Sequence, residues 1–461
     1  MDEQQKDPRP VNPRRKQRTQ MQIFKEAYLP VIIAGVALLM ILIFIIGSIV
    51  RGVQRNKLNA QLEQEASIAA QEEQERLNSE AADLLSQAEL QAKQCDYEGA
   101  IDTLELFSGN IEEFAQLKET HDAYTKAIES LVHWDDPSQV LSLSFQHLIA
   151  DTARAFTDAV YGDSYNKNYV TCAEFSKILQ QLYENGYMLV SLADIAPEGS
   201  EPDLYLPNGK KPLLLTQTNV NYNNYMVDSD GDKLPDAGGA GFANKLILDD
   251  NGNITCQMVD STGSTVTGAY DLVPILEEFI ENHPDFSYKG ARAVLALTGY
   301  DGLFGYRTDP DGQEFFGKAY HSQETEGAAE IAQALKDAGY ELACYTYENE
   351  PYGTYTEEQI KEEMKKWTDE VVPIIGETDI FVFSRLSDIA DNGAAYSGGK
   401  FSAIDANGFR IYLGFCKDNE GYYGDYGDHI RMGRILVTGY NMAYNPGWFE
   451  SIFDASSVLD K

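Results

Sequence analysis

The sequence predicts an α/β protein, a distorted (β/α) barrel preceded by one transmembrane helix and an α-helical stalk. Three observations lead there. From residue 134 onward, apolar runs of strand length alternate with amphipathic helical patterns, which implies a mostly parallel sheet. Residues 29–50, LPVIIAGVALLMILIFIIGSIV, carry no charge. Between these two regions, residues 58–131 are rich in Ala, Gln, Glu and Leu and lack proline, a helical composition.

The 461 residues leave room for a large core, and the hydrophobic fraction of 43% is that of a globular protein. With 36 basic against 73 acidic residues the net charge is −37, which argues against nucleic acid as a partner, since such binding needs phosphate-neutralising Lys and Arg. A broad footprint on an anionic membrane surface is disfavoured for the same reason. The 28 tyrosines, with Asn and Gly, make polar-aromatic surfaces of a kind that holds sugars. The five cysteines, Cys95, Cys172, Cys256, Cys344 and Cys416, show no Cys-x-x-Cys spacing and read as buried thiols.

In chain order, residues 1–28 form a basic, polar tail with Arg14, Arg15, Lys16 and Arg18. The uncharged stretch 29–50 then spans roughly 33 Å as a helix, enough for a hydrocarbon core of about 30 Å. It exceeds a signal-peptide core and lacks a small-x-small cleavage site, so it reads as an uncleaved anchor. The basic tail places the N-terminus in the cytoplasm and the main domain outside, by the positive-inside rule. Residues 51–133 follow as a helical stalk, with Tyr97 and Ala100 at positions that match one tetratricopeptide-like hairpin. Residues 134–461 form the last domain. Its strands are expected at 140–145, 187–191, 212–215, 293–297, 341–345, 379–383, 410–415 and 434–437, and its helices at 172–184, 271–282, 327–338 and 356–371. The first of these helices opens with the capping-box spelling Thr171…Glu174.

In a barrel, the residues after each strand gather at one face and carry the chemistry. Those candidates for ligand binding are Gln146, Tyr222, Tyr300, Asp301, Arg307, Tyr347, Arg385 and Asp388. None of the six histidines has a partner at ligand spacing, so each reads first as a surface or hydrogen-bonded core residue. Beyond the strand expected at 212–215, Asp228, Asp230, Asp232 and Asp236 stand at positions 1, 3, 5 and 9 of a calcium loop, with the carbonyl of Leu234 at position 7. Position 12 is Gly239 rather than the bidentate Glu, so the expected affinity is weak, about 10⁻⁴–10⁻³ M. The loop resembles the DxDGDxxPD loops of thrombospondin type-3-like repeats.

The stretches QHLIADTARAF (146–156), YVTCAEFSKILQQLYENGYMLVSLAD (169–194), KPLLLTQTNVNYNNYM (211–226), HPDFSYKGARAVLALTGYDGLFGYRT (283–308) and GFRIYLGF (408–415) share one resemblance. In this order they resemble the NodB-type polysaccharide deacetylases, carbohydrate esterase family 4, in a membrane-anchored bacterial branch. The resemblance implies a barrel whose metal is held by an Asp and a His-x-x-x-His pair, a second Asp serving as base. At the corresponding places this chain has Thr218 and Asn219, then Tyr345 and Asn349. The proline-bearing motif near Phe383-Ser384-Arg385 is altered, and the late His finds no counterpart in residues 434–439.

A catalytic zinc site wants about three His or carboxylate ligands and an open position, which these residues do not supply, so no catalytic zinc is expected. The expectation is a membrane-anchored, extracytoplasmic deacetylase-like protein that binds a cell-wall or surface polysaccharide without hydrolysing it. Three alternatives remain open at this stage. One is a divergent active deacetylase. Another is a metal-free pocket using Asp301, Glu348 or Asp388 as acid and base, as a glycosidase does. The third is a non-catalytic scaffold that docks an envelope protein through the helical stalk.

Overall fold

The computed structural model describes residues 21, 24–199, 202, 204–417 and 420–460. The chain divides into two units, one up to Glu80 and one from Ala81 onward. Most of the basic tail lies outside the described residues.

The first unit is helical. A single helix, Leu29–Lys93, contains the uncharged stretch, and it is the one helix among the described residues long and apolar enough to cross a membrane. Its later turns carry Glu73, Arg76 and Glu80, paired at i,i+3 and i,i+4 spacing, the pattern of a solvated helix face.

In the second unit the helix end buries Ala81 and Ala88, and the helices Tyr97–Glu105 and Ala115–Ile128 bury Ala100, Leu104 and Leu117. The small alanines leave room for the leucines between the helices. The hairpin is joined to the barrel: Lys289 pairs with Glu98 at 3.2 Å, and the Lys289 N–H donates to the Gln94 carbonyl at 2.8 Å.

Eight barrel strands fall where strands are expected: β1 Leu141–Phe145, β2 Tyr187–Leu189, β3 Lys211–Thr218, β4 Val294–Leu297, β5 Glu341–Cys344, β6 Ile380–Val382, β7 Ile411–Phe415 and β8 Ile430–Leu436. Seven close in the order β1–β3–β4–β5–β6–β7–β8 and back to β1, every pairing parallel. The eighth is what distorts the barrel. Strand β2 pairs with Lys211–Leu213 on the same edge of β3 that farther along pairs with β4 through Thr216–Thr218. It is therefore a wedge at one end rather than a full stave.

Alternation along each strand sorts the side chains between two faces. Leu143, Leu213, Leu215, Leu295, Phe381 and Ile435 point outward and pack under the helices. Leu214, Val294, Ala343, Val382, Leu413 and Met432 fill the axis. Helix Cys172–Glu184 begins at the expected residue: Thr171 Oγ1 accepts from the Glu174 N–H at 3.0 Å, and Glu174 Oε2 accepts from the Thr171 N–H at 2.9 Å. One element went unread in the sequence. Lys245–Leu248, Ile254–Val259 and Thr265–Gly268 form an antiparallel sheet between β3 and β4. Its turns hold Asn251-Gly252 and Thr262-Gly263, with φ of 84° and 82° at the glycines, the hairpin spelling that marks it.

Candidate functional site

The site lies at the C-terminal ends of the barrel strands, where the axis changes from apolar to polar. The inward positions of the last layer include Ser144 on β1, Thr218 on β3, Tyr345 just past β5, Ser384 past β6 and Arg434 on β8.

Thr218 is buried, and its hydroxyl is engaged, donating to the Phe145 carbonyl at 3.2 Å. Asn219 leaves the strand in the left-handed region at φ 64°, which turns the chain across the barrel end. Asn221 then stitches this loop to the one after β4. Its Nδ2 donates to the Thr298 carbonyl at 2.6 Å and to the Gly302 carbonyl, while its Oδ1 accepts from the Thr298 N–H at 3.0 Å. Asp301, at φ 60°, accepts from the Asn224 N–H at 3.1 Å and Nδ2 at 2.9 Å. Arg307 is buried and donates to the carbonyls of Asp301 (2.7 Å) and Tyr222 (3.0 Å); burial lowers its pKa from the usual arginine value. Tyr222 faces the core. Its hydroxyl lies 3.7 Å from Cys256 Sγ, and burial pushes its pKa well above the usual phenol value.

On the far side, Tyr345 is half-buried with its ring 5.9 Å from the Arg434 guanidinium. Asn349 turns at φ 54°, and its buried Oδ1 has no partner. The Tyr347 hydroxyl donates to Glu370, and burial together with that carboxylate raises its pKa. Arg385 is exposed, 3.7 Å from Glu350. Asp388 is sealed in a separate network: Arg431 pairs with it at 2.8 Å, and the Tyr396 hydroxyl donates to both its oxygens at 2.8 and 2.9 Å. Gln146 is half-buried and donates to the Asn168 carbonyl at 3.4 Å. Tyr300 is half-exposed at the rim. Of the eight expected ligand-binding residues, Tyr222, Asp301 and Arg307 come together, but as a bracing cluster, while Tyr300 and Arg385 are the most exposed.

Residues that the sequence reading passed over prove central. His147 and Asp271 form a buried pair at 3.0 Å, with the Leu148 N–H and Gln217 Nε2 also donating to Asp271 at 2.9 and 2.8 Å. Burial alone raises the Asp271 pKa, but donation from His147 and from backbone N–H groups outweighs it and holds the carboxyl below its ordinary value. His147 Nε2 accepts from the Tyr222 N–H at 3.4 Å, so both ring nitrogens are occupied and the residue braces β1. The second is Arg434. Expected as the first residue of a strand, it lies inside a strand that begins four residues earlier, at Ile430. A charge within an otherwise apolar strand was the available clue.

These positions do not fit a catalytic divalent metal. Thr218, Asn219, Tyr345 and Asn349 offer neutral oxygens and amides, and a guanidinium stands against Tyr345. In the calcium-like loop, Asp228, Asp230 and Asp236 bring ligand oxygens within 4.8 Å of one another, a fit for a hard cation. Burial raises the Asp236 pKa, but the donors from Ser229, Gly238 and Gly239 outweigh it and hold the carboxyl below its ordinary value. Asp232 stands apart from this group, its Oδ1 accepting from the Leu234 N–H at 2.8 Å.

Fold and site together define a class: a closed seven-stranded parallel barrel whose mouth is braced by amides, hydroxyls and buried arginines. No family model matches the sequence, and no curated protein does. Among solved structures, the chain is similar to the Streptococcus pyogenes deacetylase PplD in complex with acetate, with 12% identity over 68% of this chain and 97% of that one and a TM-score of 0.36. It is similar to BC0361, a polysaccharide deacetylase from Bacillus cereus, with 12% identity over 65% of each chain and a TM-score of 0.34. BA0330 from Bacillus anthracis gives 12% identity, coverage of 68% and 69%, and a TM-score of 0.37.

Proposed function

We propose that this chain is a membrane-anchored, deacetylase-like barrel protein that binds a cell-envelope glycan at its barrel mouth without hydrolysing it. The N-terminus is cytoplasmic in this reading and the barrel lies outside. One observation carries it: each place where the resemblance wants a metal ligand holds Thr218, Asn219, Tyr345 or Asn349, and the cation Arg434 lies 5.9 Å from the Tyr345 ring. Asp301, Glu348 and Asp388, the carboxylates that a metal-free hydrolase would use, are already engaged, by Asn224, by Lys366, and by Tyr396 and Arg431. The tyrosine and amide rim suits sugar stacking and hydroxyl recognition. The test is acetate release by the full-length protein from an N-acetylated cell-wall glycan with zinc, cobalt or nickel added. No release above background is expected; turnover with any of the three metals overturns the reading.

The reading includes a weak calcium site at Asp228–Asp236 that orders the loop following β3. Millimolar calcium is expected to raise the melting temperature of the full-length protein and to leave the Asp230→Ala variant unmoved. Equal responses of the two proteins remove the site.

A further inference from the structure

Arg434 is 2% exposed and faces the barrel axis. A guanidinium carries five N–H donors and keeps its charge in any protein environment. Nη1 donates to Ser144 Oγ at 3.0 Å and Nη2 to the Phe383 carbonyl, while Nε is buried with no partner. Among the described residues no carboxylate pairs with it.

Arg431 on the same strand shows how a buried guanidinium is otherwise met. It is equally buried and its Nε likewise lacks a partner, yet its charge has the Asp388 carboxylate at 2.8 Å and the Tyr396 ring at 3.9 Å. Buried charges are as a rule paired, because an isolated one gives up its hydration for nothing. The groups against Arg434 are the Ser144 hydroxyl, the Phe383 carbonyl, the side chains of Tyr345 and Tyr422 and the Cys416 thiol, none of them a carboxylate.

We infer that Arg434 anchors an anion site at the barrel mouth, completed by a carboxylate-bearing ligand of which an acidic sugar is the expected form. The donors left over decide the chemistry. The partnerless Nε shares an edge of the guanidinium with a neighbouring Nη, and that edge is the two-pronged arrangement that matches the two oxygens of a carboxylate. Ser144 and Phe383 are buried, while Tyr345 and Tyr422 are half-buried, so a ligand enters on the tyrosine side and stacks on the Tyr345 ring. Asn349 adds a partnerless buried Oδ1, an acceptor for a sugar hydroxyl.

The inference rests on the glycan-binding reading, but its test reads anion binding rather than acetate release, so the two fail separately. The full-length protein in detergent is melted with sodium glucuronate, inorganic phosphate or glucose at matched ionic strength. Glucuronate is expected to raise the melting temperature by about 3 °C at a hundredfold excess over its Kd, with phosphate weaker and glucose without effect. Arg434→Met, which keeps the volume without the charge, is expected to lose the glucuronate response. Arg434→Lys, which keeps the charge without the paired donor edge, is expected to bind at least about tenfold more weakly. It carries the test alone if the Met variant does not fold. A wild-type protein that responds to glucuronate no more than to glucose overturns the inference. So does either variant with wild-type affinity, and phosphate binding tighter than glucuronate overturns the carboxylate assignment.

Discussion

The clearest quantitative consequence concerns what happens when metal ligands are introduced at the barrel mouth. In the variant Thr218→Asp, Asn219→Asp, Tyr345→His, Asn349→His, the donor set gains the composition that a zinc site wants. The guanidinium of Arg434 remains, 5.9 Å from the centre of the ring at position 345, and an ion held by that side chain is taken to stand at about the same distance. A dication and a unit charge at that distance repel by about 5 kcal/mol at an effective dielectric of 20. That corresponds to a Kd raised by about three to four orders of magnitude. The measurement is zinc affinity by competition with a chromogenic chelator, in the quadruple variant with Arg at 434 and again with Arg434→Met added. The pair of measurements isolates the arginine, because every other group is common to both proteins. The expected result is negligible zinc uptake with Arg434 and a large gain with Met. Equal affinities in the two backgrounds would refute the argument that the barrel axis is electrostatically closed to a dication.

Two further outcomes follow from the same structure. Asp388→Asn leaves Arg431 buried with no counter-charge, only the carbonyls of Asp391 and Ala394 and the Tyr396 ring, and is expected to cost about 3–5 kcal/mol in denaturant unfolding; Asp388→Asn combined with Arg431→Met recovers much of that, and a cost under about 1 kcal/mol for the single change contradicts the buried pair. Burial pushes Glu363 and Glu341 up to about 7, above their unfolded values, so the stability they contribute is fully present below the unfolded pKa and is lost as pH rises through 7. Melting followed from pH 5 to 8 is expected to show that decline flattened in Glu363→Gln, and identical profiles for variant and wild type count against it.

Several features were legible in the chain because they depend on near neighbours alone. The eight strand runs are local apolar patterns, and all eight are strands in the barrel sheet. The box at Thr171 and Glu174 needs only three residues of separation, and it starts the helix at Cys172. That Thr218, Asn219, Tyr345 and Asn349 carry neutral side chains is a matter of side-chain chemistry, readable wherever the strands lie. The sheet of residues 245–268 was equally local, marked by its Gly turns, and was overlooked for want of a long apolar run.

Other features exist only once strands meet. Whether eight strands close or seven close around a wedge depends on β2 and β4 competing for one edge of β3, which no local pattern encodes. Asp388 looks like a rim ligand in one dimension. In three it belongs to Arg431, forty-three residues away in sequence. Arg434 reads as a strand-end charge until the strand extends back to Ile430, and alternation then turns the side chain onto the axis. Local sequence thus determined which side chains were available, while the tertiary fold decided which charges met a partner, because electrostatic pairing depends on distance through space rather than along the chain.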